Sequence, residues 1–432
     1  MRGIGSKLNF VFLTIVVLII FLGNIDYDIQ PNKNLPIDKG DTAWMLVACA
    51  FVLLMTPGLA FFYGGMVNVK NIISTMLQSF VALGVISVIW VMVGFSLSFG
   101  DSIYGIIGNP ATYFNFKNVT LAPNENFAST IPFLLFAFFQ LKFAIITPAI
   151  ISGSFAERIR FRSYILFMLL FTIFIYSPLA HMTWHPEGLF RKWGVLDFAG
   201  GTVVHMSAGL AALSGAFFLG KRKKIEQKPA NIPFVILGTG LLWFGWFGFN
   251  AGSAFGANFD SVISFANTNI ASATSMITWI FYDRFFNRKM SAMGACIGAI
   301  VGLVAITPAA GFVTLGQSVF IGFVAAIISN MAIKISKRSR VDDTLDVFPS
   351  HGVGGIVGMI LTAVFAKDVG LIYGSYQVFN AHLLTVFIVV VFTLIMSYVI
   401  YKLVDLMMPI RVRVDQEERG LDNSQHGELF SS

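Results

Sequence analysis

The feature that most restricts the fold is a series of apolar runs, each about 20 residues long, separated by short polar segments. A helix of that length crosses the roughly 30 Å hydrocarbon core of a bilayer. Lipid offers no hydrogen bonds to the backbone, so only helices and closed barrels can span it. Because the runs are continuous rather than alternating between apolar and polar, they predict helices. We therefore expect an all-α polytopic membrane protein with one membrane domain.

The composition agrees with this expectation and excludes other classes. Only 12% of the residues are charged, whereas about a quarter are charged in soluble domains. The net charge of +7 comes from basic residues in the loops between the runs, which argues against nucleic acid as a partner. Cys49 and Cys296 each lie inside an apolar run, so no disulfide framework is expected.

Eleven spans are predicted, and the basic residues predict their orientation. If the first span runs from outside to inside, the inner loops and the tail carry 20 Lys and Arg residues, and the outer loops carry four. Lys and Arg are concentrated in the cytoplasmic loops of membrane proteins. We therefore expect the first span to begin outside and the C-terminus to lie inside, in a plasma or inner membrane. The spans are 42–64, 71–99, 130–152, 163–182, 198–220, 232–254, 260–283, 290–308, 315–335, 350–366 and 380–404.

Composition also divides the chain into four segments. Residues 1–25 combine a basic start with an apolar run at 8–23, which fits either a cleaved signal peptide or an extra N-terminal helix. Residues 26–41 form a polar linker outside the membrane. The membrane domain is expected at 42–404, followed by a cytoplasmic tail at 405–432.

An acid–histidine motif occurs twice, five spans apart. Asp197 precedes His205 by eight residues at the start of the fifth span, and Asp343 precedes His351 by the same distance at the tenth. Because five is an odd number, the two segments enter the membrane from opposite faces. This pattern is typical of an inverted repeat, whose shared site lies near the middle of the membrane. We therefore expect two five-helix halves, one additional helix, and one central site formed by both histidines.

Two facing imidazoles could bind a metal ion or share a proton. Zinc usually needs a third or fourth protein ligand, and neither helix has a Cys, Asp or Glu one turn from its histidine. No metal site and no cofactor are therefore predicted. A neutral imidazole is both a donor and an acceptor, and burial disfavours its charged form. A largely neutral pair in a narrow apolar lumen would pass a small polar molecule and reject hydrated cations.

Several segments resemble the ammonium transporter family, Amt/Mep/Rh, and within it the Amt/Mep branch. The resemblance covers about residues 40–428 and implies a homotrimer in which each subunit has its own pore of eleven spans. It implies ammonium or ammonia as the substrate, and a PII-type regulatory protein that docks on the internal loops and the tail. The segments are "TPGLAFFYGG" (56–65), "FAERIRF" (155–161), "DFAGGTVVH" (197–205), "WFGWFGFNAGSAF" (243–255), "HGVGG" (351–355) and "ERGLDNSQHGE" (418–428).

The resemblance also assigns roles to single residues. His205 and His351 match the paired pore histidines, and Phe143 and Phe249 match the two stacked phenylalanines of the gate. Aromatic faces attract a desolvated ammonium ion, which suits an external recruitment site. Asp197 is also a typical helix N-cap, so capping and direct contact with the ion both remain open. The recruitment site is implied at Trp184, Phe143, Ser253, Asp197 and Phe139, with Trp246 lining the pore.

Two features depart from the family pattern. The segment "HPEGLFRKWGVL" (185–196) adds charge near the predicted mouth, where the family often has glycines. Lys142 lies in mid-span beside Phe143, and a charged residue at bilayer depth is costly. Lys142 is about 100° around the helix from Phe143, which directs it away from the pore, toward a subunit contact or a buried partner.

The main hypothesis is therefore a transporter for nitrogen uptake rather than an enzyme. Ammonium would bind at the external aromatic vestibule, lose its proton near the gate, and cross as ammonia past the paired histidines. Whether the proton follows stays open. The alternative is an ammonium sensor on the same scaffold with little flux. A membrane enzyme with a histidine-bound metal is a third hypothesis, and it lacks the additional ligands.

Overall fold

The structure is a computed structural model that describes residues 2–22, 36–223 and 228–430. Residues 26–35 of the predicted linker lie outside the described residues. The α-helices are α1 (Arg2–Leu22), α2 (Lys39–Met66), α3 (Ile72–Ile89), α4 (Phe95–Phe99), α5 (Phe133–Ile151), α6 (Phe161–Phe171), α7 (Ser177–Trp184), α8 (Leu189–Lys192), α9 (Ser207–Leu219), α10 (Ile232–Ala251), α11 (Phe259–Phe285), α12 (Ala292–Ile306), α13 (Leu315–Arg338), α14 (Gly354–Phe365), α15 (Tyr376–Met407) and α16 (Val414–Arg419). A two-stranded hairpin pairs β1 (Ser102–Ile103) with β2 (Ile107–Gly108).

Within the described ranges, nine helical segments are long and apolar enough to cross a membrane. They confirm the prediction of a multi-pass helical membrane protein. The predicted spans 260–283 and 290–308 coincide with α11 and α12, but α12 has only 15 residues. The face of α11 that packs on α12 and the following loop is polar: Ser272 and Ser275 donate to the Ala299 and Gly298 carbonyls, and Asn267 donates to Ala310. Those hydrogen bonds explain why the packed face of α11 has a modest apolar content.

The backbone is also helical over α1, which contains residues 8–22 of the apolar run. The Asn115 side-chain amide donates to the carbonyls of Ile19 and Ile20 at 3.1–3.3 Å. Asn115 itself has a left-handed conformation, with φ of 56°, which Asn tolerates better than most residues. The hydrogen bonds satisfy carbonyl groups in the last turn of α1, which have no partner within the helix.

Short π-helical segments interrupt the long helices at four places in the described part of the membrane region. Two of them lie between α3 and α4 (Trp90–Gly94) and between α6 and α7 (Thr172–Tyr176). The other two precede α9 (Gly201–Met206) and α14 (Phe348–Val353). The latter two carry His205 and His351, so the repeated sequence motif corresponds to a repeated local conformation. Such bulges often occur at functional sites.

The two halves of the chain meet through small residues. α2 packs along α10, where a Cβ on Gly238 would lie 2.3 Å from the Phe62 amide nitrogen. At the histidine segments, a Cβ on Gly209 would lie 2.1 Å from the Gly352 nitrogen. Backbones that approach so closely exclude any side chain at these positions. The glycines therefore decide how closely the two histidine-bearing segments can approach.

The C-terminal tail docks on the ends of the transmembrane helices. Asp422 accepts the Ile73 and Ser74 amides at 3.0 and 2.7 Å, which caps the N-terminus of α3. Gln425 accepts the Phe161 amide at 2.9 Å and caps α6. Arg411 donates to the Leu219 carbonyl at the C-terminus of α9. Because the tail satisfies helix ends that would otherwise lack partners, it is part of the folded domain.

Candidate functional site

The two histidines of the repeated motif lie next to each other in the folded chain. The Nδ1 atoms of His205 and His351 are 3.3 Å apart, and the side chains belong to residues that are 1% and 4% exposed. At that distance one ring donates its proton and the other accepts, so the pair shares a hydrogen. The structure therefore brings together the two residues that the sequence predicted to form one site.

Each aspartate of the motif caps the segment that carries its histidine. Asp197 Oδ1 accepts the amides of Gly200 and Gly201 at 2.8 and 2.6 Å, and Oδ2 accepts the amide and hydroxyl of Thr202. Gly200 has a φ of 115°, which favours glycine and turns the chain into the π-helix. Asp343 Oδ2 accepts the Phe348 amide at 2.7 Å. The eight-residue spacing thus reflects a cap followed by a π-helical turn.

A narrow apolar cavity surrounds the histidine pair. Its volume is only about 10 Å³, close to the minimum for one water molecule. The His205 ring stacks on Trp246 with ring centroids 5.3 Å apart and an interplanar angle of 20°. Trp246 donates its Nε1 hydrogen to Thr307 at 2.9 Å, which fixes its ring. The remaining lining is apolar: Met55, Leu59, Phe62, Ile146, Ile150, Val204, Leu242, Phe249 and Ile300.

A pair of phenylalanines separates this narrow cavity from a much wider one. The rings of Phe143 and Phe249 lie 4.2 Å apart at 35°, and both residues are at most 1% exposed. The wide cavity has a volume of about 710 Å³. Phe143 lines the wide cavity and Phe249 lines the narrow one. The stacked rings therefore close the connection between the two.

The wide cavity contains most of the predicted recruitment residues. Trp184 lies edge-on to Phe143 with ring centroids 5.8 Å apart, and its Nε1 donates to the Asp197 carbonyl at 3.1 Å. Ser253 lines the cavity and donates its hydroxyl hydrogen to the Phe249 carbonyl, so its oxygen lone pairs stay available as acceptors. The Asp197 carboxylate, in contrast, is turned to the backbone amides. Burial raises the pKa of Asp197, and its hydrogen bonds to Thr202, Gly201 and Gly200 lower it.

Phe139 does not have the predicted position. It is fully buried and is not among the residues that line the wide cavity in the described chain. Its ring packs edge-on to Phe143, with centroids 5.0 Å apart, and against Phe255 at 5.9 Å. Phe139 therefore packs against the Phe143 ring without reaching the wide cavity. One helical turn places a residue on the same face, but it does not decide whether a neighbouring ring covers it.

Gln140 is a cavity residue that the sequence reasoning missed. It lines the wide cavity, it is 4% exposed, and its Oε1 has no hydrogen-bond partner among the described residues. A buried amide oxygen without a partner is costly, so it is a candidate acceptor for a ligand. Its position in the sequence could have predicted this role, because a polar Gln between Phe139 and Phe143 in an apolar span is costly unless it binds something.

Lys142 lies away from both cavities in the described chain. Its Nζ lies 5.6 Å from the centroid of the Phe138 ring, and the residue is half-buried. Neither cavity includes it in its lining. The geometry agrees with the predicted direction away from the histidines, and the aromatic ring provides part of the compensation for the charge.

The other histidines hold loops in place. His181 donates from Nδ1 to the Ser98 carbonyl and accepts from the Ser102 hydroxyl at Nε2. His382 accepts the Leu196 amide and lies within hydrogen-bond distance of the Met359 carbonyl. The first interaction fixes Leu196, the residue that precedes Asp197. In the described ranges, no three His, Cys, Asp or Glu side chains are grouped so that they could hold a metal ion.

The fold and the site define a multi-pass helical membrane protein with a buried histidine pair in a narrow cavity, which two phenylalanines separate from a wider one. The sequence matches the Ammonium Transporter Family over residues 43–430. It is 45% identical to an ammonium transporter of Aquifex aeolicus over 91% of this chain and 93% of the relative. It is 42% identical to an ammonium transporter of Bacillus subtilis over 90% and 98% of the two chains. The chain therefore belongs to the ammonium transporter family, as the sequence motifs predicted.

Solved structures of the family have the same fold. Mep2 of Saccharomyces cerevisiae superimposes with a TM-score of 0.82 at 34% identity, covering 88% of this chain and 89% of that one. A structure described as a sensor Amt protein superimposes with a TM-score of 0.83 at 28% identity, covering 90% and 98%. Mep2 and the sensor Amt protein thus share the fold of this chain. Relatives named as transporters support a transport function rather than an enzymatic one.

Proposed function

We propose that the protein conducts ammonium nitrogen across a membrane through the passage formed by the wide cavity, the phenylalanine gate and the histidine pair. The observation that carries this proposal is the arrangement around Phe143 and Phe249. The two stacked rings separate a wide cavity with polar acceptors from an apolar cavity that barely holds one water molecule. Such a passage favours a small neutral molecule over a hydrated ion.

Recruitment would occur in the wide cavity, which we assign to the external side. An ammonium ion there meets the ring faces of Trp184 and Phe143, which attract a cation. The Ser253 hydroxyl and the Gln140 Oε1 atom are acceptors for its hydrogen bonds. Potassium cannot donate hydrogen bonds, so acceptors distinguish the two ions. Asp197 would contribute by capping the His205 segment and by orienting Trp184 through its carbonyl group.

Passage would require the loss of one proton, because the narrow cavity is too apolar for a bare cation. After the Phe143 and Phe249 rings move apart, ammonia would pass the shared hydrogen of His205 and His351. Each neutral imidazole of the pair can donate a hydrogen bond to ammonia or accept one from it, and neither ring carries a fixed charge. Trp246 would hold the His205 ring in register. The passage would end on the cytoplasmic side, where ammonia regains a proton.

The proposal extends to the topology of the chain, its oligomeric state and its regulation. We propose eleven spans with an external start and a cytoplasmic C-terminus, arranged as five plus five in an inverted repeat. The proposed segments are those derived from the sequence, with residues 1–25 as a signal peptide or extra helix. The protein would form a homotrimer in the plasma or inner membrane. The docked tail and the internal loops would be the surface for a PII-type regulator.

A sensor function is the second candidate. It is favoured by the similarity to the sensor Amt structure and by the closed Phe143–Phe249 stack. A sensor would bind ammonium in the wide cavity without passing it through the gate. The two functions therefore predict the same binding site and different fluxes.

The deciding experiment is a current measurement on a solid-supported membrane with purified protein in liposomes. An ammonium jump is applied to the wild type, to His205→Ala and to His351→Ala, and a potassium jump serves as the ion control. His426→Ala, in the tail, is the matched histidine control. A current with ammonium but not potassium, altered only in the two pore variants, would support transport through the pair. No current, with ammonia uptake no faster than in empty liposomes, would exclude transport and leave the sensor.

A further inference from the structure

The two aspartates of the repeated motif are not equivalent in their hydrogen bonds. Both oxygens of Asp197 are occupied, by three backbone amides and the Thr202 hydroxyl. Asp343 is equally enclosed, at 8% exposed, but its hydrogen bond from the Phe348 amide involves Oδ2 alone, with the Val347 amide nearby. Its Oδ1 is buried and has no hydrogen-bond partner in the described part of the chain. The repeat is therefore symmetric in sequence and asymmetric in chemistry.

A buried oxygen without a partner is expensive in a structural cap. An unsatisfied buried polar group costs about 1–3 kcal/mol, and more when it is charged. Protonation of Asp343 removes the cost of burying its negative charge, and the resulting O–H group is a hydrogen-bond donor. Protonation of Asp197 would instead disrupt existing hydrogen bonds, because Oδ1 faces two amide donors and Oδ2 faces the Thr202 amide as well as its hydroxyl. The free oxygen of Asp343 thus suits a carboxyl group that exchanges a proton.

The groups around Asp343 place it between neutral and ionised forms near neutral pH. Its own segment contributes Asp346, which pairs with Lys337 of α13 at 3.5 Å. The Arg158 guanidinium is fully buried and bonds to the Thr344 hydroxyl and the Asp342 carbonyl. Burial and the negative charge of Asp346 raise the pKa of Asp343 to about 7, against the Phe348 and Val347 amides and Arg158, which lower it.

Two further neighbours complete the surroundings. Tyr63 of α2 lies close enough to interact electrostatically with Asp343, and its hydroxyl donates to the Ile150 carbonyl. Asp342 forms a two-pronged pair with Arg222 at 2.9 Å, and Glu157 accepts from the same guanidinium. The charges of Asp342 and Glu157 are thereby occupied by Arg222. Asp343 is left as the carboxyl group with a free oxygen.

In the described chain, Asp343 is not among the residues that line the narrow cavity, but it lies next to two segments that do. It caps the π-helical segment that carries His351. Its neighbour Tyr63 follows Phe62, which lines the narrow cavity. Under the proposed orientation, this is the cytoplasmic end of the passage, opposite the gate.

We infer that Asp343 is the residue that exchanges a proton with ammonia at the cytoplasmic end of the passage. The inference rests on the proposed transport function. In this step the O–H bond of the protonated carboxyl group breaks and an N–H bond forms on ammonia. Ammonium leaves, and the carboxylate remains. The carboxylate regains a proton from cytoplasmic water, or from the passage when the proton follows the substrate.

The test measures initial uptake of methylammonium into proteoliposomes at varied pH on the cytoplasmic side. Protein orientation is checked by protease cleavage of the tail. For a group with a pKa of about 7, the protonated fraction falls from about 90% near pH 6 to about 10% near pH 8. A step that needs the protonated acid therefore slows by about ninefold in the wild type over that range. Asp343→Asn retains an oxygen for the Phe348 amide but cannot release a proton, so its profile should be flat.

Asp346→Asn is the matched control, because it removes the neighbouring negative charge and leaves Asp343 in place. Its profile should keep the wild-type shape with the midpoint at a lower pH. A wild-type profile in Asp343→Asn, or a flat profile in Asp346→Asn alone, would overturn the inference.

Infrared difference spectra of the protein provide a second measurement that does not depend on transport. A protonated-carboxyl band should appear between about pH 8 and about pH 6 and should be absent in Asp343→Asn. If the band is present and the wild type shows no uptake, the proposed function fails while the proton site stands. If the same band persists in Asp343→Asn, the proton site is wrong whatever the flux.

Discussion

Asp197→Asn should lower the stability of the protein far more than Asp343→Asn, although the two residues occupy equivalent places in the repeated motif. Asp197 uses both oxygens as acceptors, two hydrogen bonds on each. An Asn at this position must turn its NH₂ group toward two donors, whichever way the amide is oriented. Asp343 uses one oxygen, and an Asn oxygen can replace it. The two substitutions are chemically identical and differ only in their surroundings.

The size of the difference follows from the bonds lost. Asp197→Asn leaves two donors without an acceptor, and each unsatisfied buried donor costs about 1–3 kcal/mol. Because the Thr202 hydroxyl can rotate, we expect a loss of about 2–4 kcal/mol in the free energy of unfolding. Asp343→Asn should cost about 1 kcal/mol or less, typical of a weakened cap. The Asp197 cap also orients the segment that carries His205, so transport should fall by at least about tenfold.

The assay is denaturant titration of the purified variants in lipid–detergent micelles, together with uptake into proteoliposomes. Asp197→Glu serves as a further control, because it keeps the charge and moves the oxygens. Equal losses of stability in the two Asn variants would refute the hydrogen-bond accounting. Wild-type uptake by Asp197→Asn would refute the role of the cap in positioning His205.

Two further substitutions test the packing and the path. Gly209→Ala would place a Cβ 2.1 Å from the Gly352 nitrogen and should lower the free energy of unfolding by about 1–3 kcal/mol. Gly240→Ala, at an open position, is the control and should leave the free energy of unfolding unchanged. Equal effects of the two variants would mean that the segments of Gly209 and Gly352 separate freely. Lys142→Met should leave ammonium uptake within about twofold of the wild type, because the charge lies outside both cavities; an increase of tenfold or more in uptake would place Lys142 in the path.

The apolar runs and the repeated motif were sufficient to predict the class of fold and the central pair. In lipid each backbone must satisfy its own hydrogen bonds, so a helix can be predicted from one stretch of chain. The spacing of Asp197 and His205, repeated at Asp343 and His351, is likewise a local property, because a cap and its helix are neighbours in sequence. That is why both histidines could be named before their geometry was known.

Other properties of the site depend on contacts between distant segments, and only the tertiary structure decided them. Phe139 and Gln140 are adjacent in sequence, yet one is covered by Phe255 and the other lines the wide cavity. The difference between Asp197 and Asp343 arises in the same way. An aspartate has two oxygens in either motif, but the number of donors that reach them is set by how the surrounding backbone folds. The sequence determines which groups can titrate or bind, and the packing of the two halves decides which of them are left with a free oxygen.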